Sequence, residues 1–296
     1  MKKAVGNGRT GNSRLRNSRV WSTAADESAG HWRKQGGIGM AETVVEVEGL
    51  HLAYRNVQAV QGVTFCVEQG EILAVIGPNG SGKTSTVECV EGLRKPDSGR
   101  ISVFGKDPFQ HRGEVYEKMG VQLQETAYPS KIRVEELCRL FAAFYDRPAD
   151  WEALLRQMDL ENKRKRWVSK LSGGEKQRLS VLLSLMGRPK LMILDELTTG
   201  LDPEVRQSMW RSFEAIRDSG VSIILVSHYL DEVEALAGRI LFLEDGKQQF
   251  LGSKQEFYSY AKERISEKNW DDSDSLEKLY LKLMPKQGGI SMDAIG

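Results

Sequence analysis

The sequence predicts an α/β fold organised around a phosphate-binding loop, and three observations carry that prediction. Residues 77–84 read GPNGSGKT directly after the apolar run ILAVI. Two further apolar runs, LMILDE at 191–196 and VSIILVSH at 221–228, end in acidic or hydrogen-bonding residues. Buried strands of an α/β sheet present their C-terminal ends to ligands in this way. The segments between them space their apolar residues as helices do.

In residues 77–84 the pattern G-x-x-x-x-G-K-[ST] is filled by Gly77, Gly82, Lys83 and Thr84, with Pro78, Asn79, Gly80 and Ser81 between and Ser85 following. A β-branched strand before it and a helix-compatible segment over 85–92 supply the context this motif needs. Glycines let the backbone N–H groups turn inward, and the following helix adds its N-terminal partial positive charge. Lys83 is expected to reach the β- and γ-phosphates, and the Thr84 hydroxyl to ligate magnesium. By itself the loop implies a bound nucleoside triphosphate and leaves the reaction open.

A chain of 296 residues, 40% hydrophobic and 28% charged, is long enough to bury a core in one large domain or two small ones. Its net charge of +1 lacks the basic excess of a general nucleic-acid binder, so no nucleic-acid partner is expected. Cys66, Cys89 and Cys138 have neither metal-ligand nor disulfide spacing, which fits a reducing cytoplasm. Runs such as 221–226 fall far short of the roughly 18 residues a membrane span needs, so membrane association is expected through a partner.

Residues 1–39 are rich in Gly, Asn, Ser and Arg without apolar periodicity, and disorder is expected there. A translated leader is one hypothesis, with the natural protein starting at Met40. Gln35-Gly36-Gly37 can be encoded by a string containing AAGGAGG, a purine-rich ribosome-binding sequence. Pyrimidine third positions in the Gln35 or Gly36 codons would count against it.

From Thr43 the runs VVEVEGL and VQAVQGVTFCVEQG alternate as strands of a half-buried antiparallel layer. Tyr54, between them, could stack on a nucleobase or cover the sheet edge. After the loop helix, KPDSGR reads as a turn and ISVFG as a strand. MGVQLQE is a strand ending in Gln124. Helical spacing of Leu137, Phe141, Phe144, Leu154, Leu155 and Met158, broken by RPAD, predicts a helical subdomain over about 126–186. The basic run 163–166 reads as a solvated face.

LSGGEKQRL at 171–179 places Ser172 as N-cap of a helix running to about Met186, with Glu175 at capping-box spacing. Gly173 and Gly174 in its first turn cost roughly 1 kcal/mol each unless something approaches that backbone closely. A phosphate is the expected visitor. LMILDE should bring Asp195 and Glu196 out at the strand's C-terminal edge, because burying paired carboxylates is costly. Asp195 then suits magnesium and Glu196 an attacking water. Asp202 and Pro203 have helix-start chemistry. A lone His228 at a strand end reads as structural more often than catalytic.

In this order and spacing, the P-loop, Gln124, LSGGE, the strand ending in Asp195-Glu196, the GLD of Asp202 and His228 resemble the ATPase subunit of ABC transporters over residues of about 43–252. The resemblance implies a P-loop NTPase of the ABC ATPase fold, with a RecA-like core, an antiparallel β layer and the helical subdomain. An ATPase domain over 40–252 and a C-terminal helical tail over 253–296 are expected.

It also implies roles. Tyr54 resembles the adenine-stacking aromatic, and Gln124 the glutamine that touches magnesium and senses the membrane partner. Ser172, Gly173 and Gly174, beside Glu175, would meet the γ-phosphate of ATP held by a second ATPase subunit, homodimeric or closely related. Glu196 resembles the catalytic base, His228 the histidine at the γ-phosphate, and Asp202 the aspartate crossing the dimer interface. ATP and magnesium are the implied cofactors, with Thr84, Gln124 and Asp195 at the metal.

Two residues depart from the family pattern. Glu175 stands where Gln is usual, and would repel γ-phosphate unless its carboxylate turns back onto the Ser172 N–H. Leu197 replaces the usual Pro. GVQLQE, LDELTTGLDP and the tail SLEKLYLKLM, with Leu276, Leu279 and Leu283 on one helical face, look most like ABC-2 exporters of drugs, lipids or antibiotics. The expected function is an ATPase peripheral to the cytoplasmic face of the membrane, powering an integral membrane permease. The alternative is a soluble ABC ATPase of a non-transport complex such as iron–sulfur cluster assembly.

Overall fold

The computed structural model describes residues 42–122, 128–129, 131–196, 201–266, 269–271 and 273–284. Its strands in chain order are β1 (Thr43–Tyr54), β2 (Val57–Glu68), β3 (Ile72–Ile76), β4 (Ser98–Val103), β5 (Met119–Gln122), β6 (Leu191–Asp195), β7 (Ser222–Val226), β8 (Arg239–Glu244) and β9 (Lys247–Ser253). They form two sheets. The antiparallel layer has the order β2-β1-β4, where β4 begins at Ser98 inside the turn expected over KPDSGR and ends at Val103, leaving Phe104 and Gly105 of ISVFG in a turn; the larger sheet has the order β5-β6-β7-β3-β8-β9. All pairs of the larger sheet are parallel except β8 with β9.

The two kinds of strand sequence follow from what covers them. In β1, Val45 and Val47 are buried while Glu46 and Glu48 are only partly covered, so its pattern alternates. Every residue of β3 and β7 is buried. Leu73 and Val75 join Val45 and Val63 of the antiparallel layer, while Ile72 joins the core under the helices and Ala74 and Ile76 a third cluster with Phe242 and Phe257. Successive side chains thus enter different cores, which is why ILAVI and the IILV of β7 are apolar throughout, the buried Ser222 before them donating to the Glu68 carbonyl.

The helices are α1 (Lys83–Val90), α2 (Arg112–Tyr116), α3 (Val134–Ala142), α4 (Trp151–Gln157), α5 (Gly173–Ser184), α6 (Pro203–Asp218), α7 (Leu230–Leu236), α8 (Lys254–Arg264) and α9 (Leu276–Leu283). α1 starts two residues before the segment expected at 85–92. Within the helical subdomain predicted over about 126–186, the residues spaced before and after RPAD belong largely to α3 and α4, and the break at RPAD ends in Asp150, whose carboxylate accepts the N–H groups of Glu152 and Ala153. Leu137, Leu155 and Met158 are buried as the spacing predicts. Phe144 is not: α3 has ended by then, and its ring is 72% exposed, edge-on to Phe141 at 6.0 Å.

In the tail, Leu276 and Leu279 are fully buried and Leu283 partly so. Phe257 and Leu276 share a core with Ile240 and Phe242 of β8, and the Tyr280 ring meets Phe242 edge-on at 5.8 Å. Among the described residues no helix is long and apolar enough to cross a membrane.

Candidate nucleotide-binding site

Parallel register brings the site together. Val75, Asp195 and Val226 lie level across β3, β6 and β7, so the chain leaves all three strands at one edge, through the glycine loop, Glu196 and Ser227-His228. The glycine loop is held there by backbone. Gly77 (φ +152°) would place a Cβ 2.1 Å from the Leu243 carbonyl oxygen, and Gly82 (φ +95°) one 2.3 Å from that of Ala59. A side chain at either position would drive the loop off β8 or β2.

Within the loop, Lys83 is 7% exposed, and its Nζ donates to the carbonyls of Gly77 at 2.8 Å and Pro78 at 3.0 Å. An ammonium has three protons, so one donor is left for a ligand. Burial lowers the Lys83 pKa, opposed by the fields of Glu196 and Asp195. The Ser81 hydroxyl is buried without a hydrogen-bond partner. An orphaned hydroxyl in a cradle of inward backbone is what a phosphate oxygen would satisfy. Asn79, Gly80 and Thr84 are exposed, so the Thr84 hydroxyl at the start of α1 is open to a metal. Ser85 donates to the Tyr54 hydroxyl at 3.3 Å, which in turn donates to Glu88 at 3.3 Å. The Arg94 guanidinium lies 4.9 Å over the Tyr54 ring, which stays 37% exposed.

Asp195 and Glu196 emerge as expected, both half-buried. Burial pushes Asp195 up to about 6, the like charge of Glu196 adds to this, and Lys83 opposes it. Glu196 sits at φ +48°, a conformation few non-glycine residues adopt, while its N–H donates to the Val226 carbonyl at 2.9 Å. His228 Nδ1 is 3.4 Å from Glu196 Oε1. Behind it the buried Ser227 hydroxyl donates to Glu232 Oε2 at 2.6 Å and accepts the Tyr229 N–H at 3.0 Å, fixing the turn that presents His228. Gln124 and Leu197 lie outside the described residues.

The LSGGE turn is built differently. Ser172 caps α5 and accepts the Glu175 N–H at 3.3 Å, while Glu175 Oε2 accepts the Ser172 N–H at 2.8 Å, completing the capping box. Glu175 Oε1 pairs with Lys163 at 2.9 Å. That hydrogen bond, then the one from Ser172, holds the Glu175 carboxyl below its usual range. The basic run is therefore only partly a solvated face: Lys163 holds Glu175, Arg164 pairs with Glu135 and Glu152, and Lys165 and Arg166 are exposed. The glycines also divide. Gly173 faces open space, but a Cβ on Gly174 would come within 2.8 Å of Val205 Cγ1 on α6, so contact within the chain already accounts for Gly174. Asp202 stands at the N-cap position of α6 with Pro203 at its start, yet its exposed carboxylate makes no capping hydrogen bond. Among the described residues no hydrogen bond or ion pair ties 172–175 to 77–84.

A family profile described as ABC transporter matches residues 60–199. The "Nod factor export ATP-binding protein I" of Ralstonia nicotianae is 31% identical, the alignment covering 76% of this chain and 72% of that protein. The chain belongs to the ABC transporter family. The "Daunorubicin resistance ATP-binding protein DrrA3" of Streptomyces coeruleorubidus is 32% identical over 73% of this chain and 70% of the relative. The "Linearmycin resistance ATP-binding protein LnrL" of Bacillus subtilis is 31% identical over 73% and 71%. A solved ATP-binding subunit of an ABC transporter superposes with TM-score 0.71 at 27% identity, over 81% of this chain and 99% of that one. This chain is thus an ABC ATP-binding subunit, an ATPase on the expected fold.

Three groups of this ABC subunit escape a reading of the sequence. Lys163 is twelve positions before Glu175, and no short motif joins them. Ser227 and Glu232 look unremarkable until the turn is seen. Glu91 ends α1 only 4% exposed, its pKa pushed up to about 7 by burial and then by Asp195 and Glu88; a carboxylate within the apolar CVEGL is the one signal that could have marked it.

Proposed function

We propose that the chain is the ATP-hydrolysing subunit of an exporter, peripheral to the cytoplasmic face of the membrane, coupled to a separate integral membrane permease. Relatives named for Nod factor export and for daunorubicin and linearmycin resistance support export. One observation carries the chemistry: Lys83, Asp195, Glu196 and His228 converge at one sheet edge beside a cradle holding an unsatisfied buried hydroxyl.

In this reading residues 77–85 bind the phosphates and Tyr54 the adenine. Glu196 takes a proton from water as its oxygen attacks the γ-phosphorus, and the bond to the bridging oxygen breaks with its electron pair leaving on ADP. His228, positioned by the Ser227–Glu232 pair, contacts the γ-phosphate. Thr84, Asp195 and Gln124 would hold magnesium, which supplies charge neutralisation on the phosphates. No cluster of three His, Cys, Asp or Glu side chains forms among the described residues, and a site built on a hydroxyl, one carboxylate and phosphate oxygens needs none. Because the LSGGE turn is not bonded to the chain's own P-loop, Ser172, Gly173, Gly174 and Asp202 are read as serving a second ATPase subunit.

The test is ATP-dependent association of the purified chain with Glu196→Gln, which should accumulate a dimer with trapped ATP. A variant that stays monomeric at saturating ATP would remove the composite site. Purification from native membranes should recover the chain with an integral membrane protein, and recovery only in a soluble complex would favour the non-transport alternative.

A further inference from the structure

We propose that Lys163 is a positioning residue of the LSGGE turn: it neutralises Glu175 and holds it folded back, so that α5 presents the Ser172 hydroxyl and open backbone, not a carboxylate, to an incoming phosphate. The inference rests on the composite-site reading above.

Both oxygens of Glu175 are engaged, Oε1 by Lys163 at 2.9 Å and Oε2 by the Ser172 N–H at 2.8 Å. Ser172 Oγ uses acceptor capacity on the Glu175 N–H at 3.3 Å, which leaves its own proton to donate. Lys163 does not reach this position through a free side chain. It ends the turn Glu161–Lys163, whose neighbours are stitched to the start of α3: the Glu135 N–H donates to the Arg164 carbonyl at 2.9 Å, the Val134 N–H to that of Arg166 at 3.1 Å, and the Arg164 side chain pairs with Glu135. The Lys163 side chain is 28% exposed and that of Glu175 13%, so the pair is more sheltered than the helical-subdomain pairs that Arg139 and Arg156 make.

Without Lys163 the Ser172 N–H remains a single neutral donor to Glu175. The carboxylate then keeps a negative charge that only the more distant Arg166 still offsets, beside the place where the composite site brings γ-phosphate, and like charges repel. Lys163 acts through Glu175 and is not itself in contact with the nucleotide.

The experiment measures the ATP concentration for half-maximal dimer formation, by light scattering on the full chain in the Glu196→Gln background. Adding Lys163→Gln should raise that midpoint about 10-fold with an unchanged thermal unfolding temperature. Lys163→Arg should hold it within about 2-fold, and adding Glu175→Gln to Lys163→Gln should restore it. If Lys163→Gln leaves the midpoint unmoved, or Glu175→Gln fails to rescue it, the role of Lys163 is overturned while the composite site stands. If the Glu196→Gln background does not dimerise with ATP, the composite reading fails and this inference with it.

Discussion

Gly77 and Gly82 are wedged against the carbonyls of Leu243 and Ala59, whereas Gly173 faces open space and Gly174 meets side-chain methyls of Val205 and Leu201. The P-loop is shaped by the backbone of its own fold; Lys83 belongs to the loop at the start of α1, and Asp195, Glu196 and His228 stand at neighbouring strand ends. The LSGGE turn is shaped by side-chain chemistry: a hydroxyl, a carboxylate and a lysine from a separate turn set its conformation and charge. A preformed cradle can hold a nucleotide alone. A charge-balanced, outward-facing helix start is suited to meeting one brought to it.

That contrast can be broken at its strongest point first. Glu196→Gln should lower phosphate release about 1,000-fold while leaving ATP binding intact, read by steady-state turnover beside equilibrium binding. Turnover within a factor of ten of the unaltered chain would remove Glu196 as the base. Next, Gly82→Ala should destabilise the fold by about 3 kcal/mol in urea unfolding, because the new methyl meets backbone at a left-handed φ. Gly173→Ala should not destabilise the fold and should gain up to about 1 kcal/mol, since its methyl meets open space in a helical turn. Equal effects would erase the distinction between the two turns.

Glu91 tests how strongly burial beside the P-loop, with Asp195 and Glu88 nearby, disfavours a charged carboxylate. Its pKa of about 7 in the fold lies above the ordinary carboxylate value. The protonated form therefore favours folding: the contribution is full below about pH 4.5 and is lost as pH rises through about 7. Glu91→Gln should stabilise the protein by about 3 kcal/mol at pH 8 and by less than about 1 kcal/mol at pH 5, measured by denaturant unfolding at both. A pH-independent effect would place its origin in packing. The smallest change is expected at Glu175→Gln, about 3-fold in ATPase rate, since the capping box already turns that group away. Complete loss of activity would show that the carboxylate itself acts on the nucleotide.

Much of this is legible in the order of residues. The period-2 pattern of β1, the continuous apolar runs of β3, β6 and β7, and the Ser172–Glu175 spacing each have one physical reading, and the structure follows it. Phe144 misled because helical spacing continues on paper after the helix has stopped. The basic run misled because charge in a sequence carries no partner.

GPNGSGKT, LSGGE, the Asp195-Glu196 pair and His228 were fixed as chemical groups by the order of residues alone, since each depends on neighbours within a few positions along one strand or turn. The convergence of GPNGSGKT, Asp195-Glu196 and His228, and the separate setting of the LSGGE turn, are tertiary. They need β3, β6 and β7 in parallel register, a left-handed Glu196 tied to Val226, and the contacts of Lys163 with Glu175 and of Ser227 with Glu232. Those positions depend on packing between elements far apart in sequence, and no local pattern encodes such distances.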